Sequence, residues 1–332
     1  MTAMPRLGIM IFLQYAIWGA WAPVLSLYLL DDLGFTGSLV GIIYALLPLA
    51  SILSPFIGGQ LADRYFSSEK VIGFLQFTGG ILLILCARAT SFEAMAWLMF
   101  LYCILYAPTL ALTNSVAMIN LNDSEKEFGA IRVWGTLGWI AAGLLLSGWR
   151  MAGQGGEPLL MGGDMLFLAG VFSIVMALQA FMLPRTPPRK EGVKPWAFLE
   201  ALKMLKAKQF AIFMAITFVV STELEFFYIL TGPFLQSDAI GVAQANLPAV
   251  MTIAQVAEIF VVVLHGRAHV DQAEQVTGLV NQGRGLELFG ADQVVGHERE
   301  ALGEHGDRAA RVGPAHDPLV LRVPVALAVE VD

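Results

Sequence analysis

Residues 7–30 read Leu-Gly-Ile-Met-Ile-Phe-Leu-Gln-Tyr-Ala-Ile-Trp-Gly-Ala-Trp-Ala-Pro-Val-Leu-Ser-Leu-Tyr-Leu-Leu, a run of 24 residues without a charge. A helix rises about 1.5 Å per residue, so about 20 apolar residues cross a hydrocarbon core of roughly 30 Å. The run is therefore long enough to span a bilayer. Arg6 precedes it, and Gly19-Ala20-Trp21-Ala22 supplies the small residues of a cleavage site. It nevertheless continues well past the length of a signal-peptide core and a second apolar run follows, so the reading is an uncleaved helix.

Working outward, seven further stretches qualify, near 38–62, 70–88, 93–118, 129–149, 162–183, 209–234 and 245–264. They account for a composition of 57% hydrophobic and 14% charged residues, against about 25% charged in an ordinary soluble domain. A disordered chain is excluded and a soluble enzyme disfavoured. The net charge of −7 carries no basic signature of nucleic-acid binding. Cys86 and Cys103 both lie inside apolar segments, so they form neither a disulfide framework nor a metal site. The membrane part shows no nucleophile–base pair, phosphate loop or metal-ligand set, which argues against a membrane enzyme.

Loop charges set the expected orientation. Arg6, Arg64, Lys70, Lys126 and Arg132 fall on the N-terminal side of alternate connections, joined by Arg185, Arg189, Lys190, Lys194, Lys203, Lys206 and Lys208 after the sixth span. The opposite connections hold Arg88 and Arg150. The positive-inside rule puts the N-terminus and the 184–208 connection in the cytoplasm. Pro184, Pro187, Pro188 and Pro195 open that connection as a linker. Phe198, Leu202 and Leu205, with Lys203, Lys206 and Lys208 on another face, predict a short helix at the membrane surface.

Composition breaks near Leu264. Residues 265–332 contain no Lys, Ile, Met, Ser, Trp, Tyr or Cys, one aromatic (Phe289) and all five histidines. His297-Glu298 begins like a zinc-protease motif, but position 301 is alanine, so the motif fails. A tail rich in Gly, Ala, Val, Arg, Asp, Glu and His reads as GC-rich coding sequence in the wrong frame or direction, expected to lack a packed core.

Six spans, a long basic connection and further spans follow the plan of a secondary transporter with two six-helix halves. Gly59-Gln60-Leu61-Ala62-Asp63-Arg64, after the second span, resembles the G-x-x-x-D-R signature of the major facilitator superfamily, where it serves conformational gating. Tyr65-Phe66-Ser67-Ser68 departs from the Gly and basic residues that usually complete it. A plain charged loop at the membrane edge is the alternative. Four segments carry a closer resemblance: Phe12-Leu13-Gln14 with Trp18-Gly19-Ala20-Trp21; Pro108-Thr109-Leu110-Ala111-Leu112-Thr113-Asn114; Ile131-Arg132-Val133-Trp134-Gly135-Thr136-Leu137-Gly138; and Ala254-Gln255-Val256-Ala257-Glu258. In this order they resemble the first, fourth, fifth and eighth spans of the bacterial nucleoside:proton symporters, over residues 1–264.

Arg132, Thr136 and Trp139 recur at i, i+4 and i+7, so they share one helix face. The resemblance implies that this face contacts substrate; the alternatives are a cation snorkelling to the interface for Arg132 and packing for Trp139. Gln255 and Glu258 also share a face. A carboxylate inside an apolar span faces a cavity or a partner. Removal from water favours its protonated form, the property that a proton-coupling group needs. The resemblance implies instead that Glu258 binds ribose hydroxyls, and a structural carboxylate is the third reading. Glu225 and Tyr228 share a face, whereas Glu223 points elsewhere. They stand where the family resemblance implies a Gln and an Asn that bind base or sugar, which puts the substrate in question and makes Glu225 a second coupling candidate. Gln14, Thr109 and Asn114 are either ligands or helix–helix hydrogen-bonding glue.

The expectation is an all-α integral membrane protein of major facilitator type. Residues 1–183 form an N-terminal six-helix half, 184–208 a basic linker, 209–264 spans seven and eight, and 265–332 a non-membrane tail. It is expected to carry nucleosides with protons across the bacterial inner membrane, with no cofactor beyond the proton gradient and no nucleic-acid partner. The alternatives are another small polar substrate such as a sugar, or a membrane remnant that transports nothing. The tail reading has a direct check: the other reading frames after the codon for Leu264 should encode further apolar spans, and their absence would refute it.

Overall fold

The computed structural model describes residues 3–54, 66–153, 163–188 and 203–260. Gly59, Asp63 and Arg64, the expected surface helix at Phe198 and Leu202, and the tail 265–332 lie outside the described residues.

Each expected span is a helix. They are α1 (Ala3–Trp21), α2 (Gly37–Ser54), α3 (Ser68–Cys86), α4 (Phe92–Asn120), α5 (Ser124–Ala152), α6 (Asp164–Ala180), α7 (Lys208–Gln236) and α8 (Leu247–Phe260). Among the described residues all regular structure is helical. Six helices among the described residues are long and apolar enough to cross a membrane, while α6 and α8 are shorter apolar helices. The fold is thus the expected all-α membrane bundle.

Helix α1 is central, packing on α5, α6 and α4, while α3 packs on α6 and α4 and α2 on α4. Its core side chains, including Leu7, Met10 and Ile17, are fully buried. Past Pro23 the chain resumes as a short helix, Leu25–Leu27, and a wider helical turn, Tyr28–Asp32. The Tyr44 hydroxyl of α2 repairs the break: it accepts from Ser26 N at 3.0 Å and donates to Ala22 O at 2.7 Å. Those two backbone groups, four residues apart, would otherwise bond to each other. A side chain inserted into the helical ladder is a recognised cause of bending, and in a span it also satisfies groups that lipid cannot.

The four helices around this core are joined by one buried polar network. Gln14 of α1 donates to Thr109 of α4 (2.9 Å), and Gln76 of α3 donates to both Gln14 (3.0 Å) and Thr109 (3.0 Å). Ser173 of α6 donates to the Gln76 side chain at 2.6 Å, and the Tyr106 hydroxyl donates to Gln14 O at 2.7 Å. Gln14, Thr109 and Ser173 are wholly buried.

The two ends of the bundle differ. At the end bearing Arg6, Thr186 joins the start of the 184–208 connection to two helices. Its amide donates to Glu69 of α3, its carbonyl accepts from Ser68 N, and its hydroxyl accepts from Asn120 of α4, each at 3.0 Å. At the other end Arg150 of α5 makes a bidentate pair with Asp164 of α6, both bonds 2.7 Å.

Replacing Gln76 with Leu leaves the buried Gln14 Oε1 without its donor, at about 1–3 kcal/mol for the orphaned group, while Ser173 keeps its bond to the Gln76 carbonyl. Thermal unfolding in detergent should show Q76L melting several degrees below the parent, while a change at the exposed Phe74 on the same helix leaves the midpoint unmoved. Equal midpoints for Q76L and the parent would contradict the bracing role.

Candidate functional site

Two glycines place the candidate face of α5. A side chain on Gly138 would enter the backbone of Phe12 in α1, and a Cβ on Gly135 would lie 2.7 Å from the Tyr15 ring. Glycine at both positions lets the helices touch backbone to ring and backbone to backbone. That contact sets Arg132 and Trp139 beside Tyr15 and Trp18. The Arg132 guanidinium carbon lies 4.3 Å from the Tyr15 ring centroid, a cation–π stack. Thr136 is 8% exposed and Trp139 6%.

Trp139 meets Trp18 edge-on, with centroids 5.5 Å apart, and its ring stacks on Tyr228 of α7 at 5.7 Å and 24°. Trp18 and Tyr228 are 6.3 Å apart. Three aromatic rings from three helices therefore meet at one place. Tyr228 and Gly232 are the buried residues of α7, with Gly232 against Leu27. Glu225, one turn before Tyr228, is half-buried and within electrostatic reach of Tyr44 on α2, Cys103 on α4 and Tyr228. Among the described residues it has no hydrogen-bond or ion-pair partner. Glu223 is exposed, as the two-residue offset requires.

On α8, Gln255 is half-buried and its Oε1 is enclosed without a partner. Glu258 is exposed and within electrostatic reach of Tyr228. Asn114 of α4 likewise holds a buried Oδ1 without a partner. Gln14 and Thr109, by contrast, are consumed in the polar network and are glue.

The same face of α5 continues outward. Gly143, Ser147 and Arg150 extend the Arg132–Thr136–Trp139 series by steps of four, four and three, and all three meet the start of α8 or the connection before it. A Cβ on Gly143 would lie 2.5 Å from Thr252 Cγ2 and 2.8 Å from Pro248 O. Ser147 Oγ accepts from Ala249 N at 2.9 Å, satisfying a first-turn donor that α8 cannot pair internally. Arg150 donates to Gln244 O at 3.5 Å. Sequence reasoning missed this seam, as it did Tyr15 and Trp18 as neighbours of the site. The signal was present in the heptad-like spacing along α5, which marks a face and leaves its partner open.

A polar and aromatic face lies buried between helices apolar and long enough to span a membrane, in a helical bundle of the major facilitator type. The nucleoside transporter NupG, a solved structure, has the same fold: TM-score 0.68 and 26% identity, covering 82% of this chain and 68% of that one. The nucleoside H+ symporter family model matches residues 1–271, and the chain belongs to that family. It is 37% identical to YegT of Escherichia coli (strain K12) over 78% of its length, and 30% identical to the nucleoside permease NupG of that strain over 70%. Identity to that strain's xanthosine permease is 30% over 72%. The chain spans 60% of YegT and 56% of NupG.

Gly143→Val should part α5 from α8 at the Arg150 end. A cysteine at the half-buried Ala249 would then react with an impermeant maleimide about 10-fold faster, the factor expected for loss of one or two net hydrogen bonds. An unchanged rate would show that the seam does not depend on that contact.

Proposed function

We propose that this chain carries nucleosides together with protons across the bacterial cytoplasmic membrane, with its N-terminus and the 184–208 connection on the cytoplasmic side. The family is described as a nucleoside H+ symporter, and relatives carry the names nucleoside permease and xanthosine permease. The observation that carries the reading furthest is the single face of α5. Its inner part, Arg132, Thr136 and Trp139, meets the aromatic cluster, and its outer part seals against α8.

In this reading Arg132, Thr136 and Trp139 hold substrate from α5, Glu225 and Tyr228 from α7, and Gln255 and Glu258 from α8. Trp139 and Tyr228 offer flat apolar surface to a base. Arg132 supplies hydrogen-bond donors and Gln255 an open acceptor. Glu258, or Glu225 as second candidate, binds the transported proton, and Glu258 also accepts from ribose hydroxyls. Residues 1–183 act as one half and 209–264 as the opening of the other. Residues 184–208 join them, and 265–332 are a polar tail by composition. Substrate and proton shift the balance between states open to either side. The α5–α8 seam closes the outer end, and the loop carrying Gly59, Asp63 and Arg64 serves the inner one.

The test is uptake by proteoliposomes containing the chain as written, with an imposed pH gradient. The wild-type chain should accumulate nucleoside. Glu258→Gln should lose about 10-fold or more of that accumulation, within the usual range of coupling energies, while nucleoside exchange without a gradient persists. Undiminished accumulation by E258Q would remove the coupling role from Glu258, and absence of any wild-type uptake would overturn the transport reading.

A further inference from the structure

Tyr228 is buried and stacked on Trp139, with Trp18 edge-on to Trp139. Ring surfaces of this kind would hold a flat aromatic group but would not distinguish one base from another, since every base has two apolar faces. Selection has to come from a polar group at the edge of the cluster. Glu225 stands there, on the same face of α7 as Tyr228 and one turn away. It is half-buried, whereas Glu223 on another face of the helix is exposed.

Its chemistry is one-sided. An ionised carboxylate accepts hydrogen bonds through two oxygens and donates none. A nearby cation would compensate it, but Arg132 lies over the Tyr15 ring on α1 with no ion pair to Glu225, and Arg150 is paired with Asp164 at the end of the bundle. Among the described residues Glu225 has no donor of its own. A half-buried carboxylate without a donor favours a ligand that brings donors with it.

Base edges differ in how many donors they bring. The guanine edge presents two adjacent N–H groups, the ring N1–H and the 2-amino group, spaced to meet both oxygens of one carboxylate. Hypoxanthine keeps the first and lacks the second. Uracil presents one N–H flanked by two carbonyl oxygens, which a carboxylate repels. We infer that Glu225 is the specificity-determining residue of the site and selects nucleosides whose base carries two adjacent N–H donors, the guanine type. This rests on the nucleoside reading above and adds to it the class of base.

Guanosine and inosine make the sharpest comparison, because they share sugar, ring size and stacking surface and differ only in the 2-amino group. The chain is purified in detergent, and tritiated guanosine binding is measured by scintillation proximity, with unlabelled inosine, uridine and guanosine as competitors. Wild-type protein should bind guanosine at least about 10-fold more tightly than inosine, the value expected for one hydrogen bond to a charged acceptor, and uridine more weakly still. Glu225→Gln offers one acceptor and one donor group in the same volume, so the guanosine-to-inosine ratio should fall to about 2 or less. A wild-type ratio near one overturns the inference even if E225Q fails to fold. So does an E225Q protein that binds nucleosides with the wild-type ratio. Both outcomes leave nucleoside recognition standing. Failure of the wild-type chain to bind any nucleoside overturns that reading and this inference together.

Discussion

The backbone of α5 rests on the backbone of α1 where Gly138 meets Phe12, and the geometry of the site descends from that contact. Nothing larger than hydrogen fits there. Because the two helices are this close, Arg132 can lie on the Tyr15 ring and Trp139 can meet Trp18 edge-on. Had the helices been held a side-chain width further apart, the same residues would face one another across a gap. In a bilayer, where apolar side chains gain little by leaving lipid, small residues at crossings are the means by which helices gain dispersion contact. The motif Arg-x-Trp-Gly-Thr-x-Gly thus carries two functions in alternation: glycines for the crossing, and larger residues for the face beside it.

The polar network complements that crossing from the opposite side of α1. Gln14 points away from α5 into a set of groups from α3, α4 and α6, each of which would be expensive to leave unpaired in an apolar interior. A fully paired network fixes the rotation of four helices about their axes, which packing of apolar side chains alone defines less sharply. Thr186 acts comparably at one end, holding the first residues of the linker against the ends of α3 and α4. The N-terminal helices are therefore pinned at the crossing, in the core and at one rim. Helix α7, by contrast, buries Tyr228 and Gly232, so its link to the others runs through a few residues near the aromatic cluster.

Much of this was legible in the sequence because membrane burial writes itself as length. Among the described residues each apolar run holds a helix, and the shared face of Arg132, Thr136 and Trp139 follows from helical spacing. What periodicity cannot supply is the identity of the helix across the gap. The pairing of Gln14 with Gln76 and Thr109 spans up to 95 residues of chain, and the Tyr44 hydroxyl inserted between Ser26 and Ala22 has no local signature. Glu258 illustrates a second limit. Its place inside an apolar run suggested enclosure, yet on α8 it is exposed, because hydropathy averages over all faces of a helix and one residue occupies only one of them. Gln255, three positions earlier, holds the enclosed unpaired atom. Trp18 stood in a quoted motif, and its role at the site became visible only when α5 and α7 were set beside it.

The continuous stripe on α5 also has a mechanical meaning. From Arg132 to Arg150 is 18 residues, about 27 Å of helix at 1.5 Å per residue, with no proline to soften it. Such a rod is a lever. With the Gly138 crossing as fulcrum, displacing the Arg150 end by about 3 Å requires a tilt of only about 10°, since that arm is about 18 Å long. The Arg132 end, on an arm of about 9 Å, then moves about 1.5 Å the other way. That travel is comparable to the difference between a hydrogen bond made and one broken. A helix this stiff would therefore pass any motion at the rim to the stacked guanidinium at reduced amplitude, with a gear ratio set by where its glycines fall.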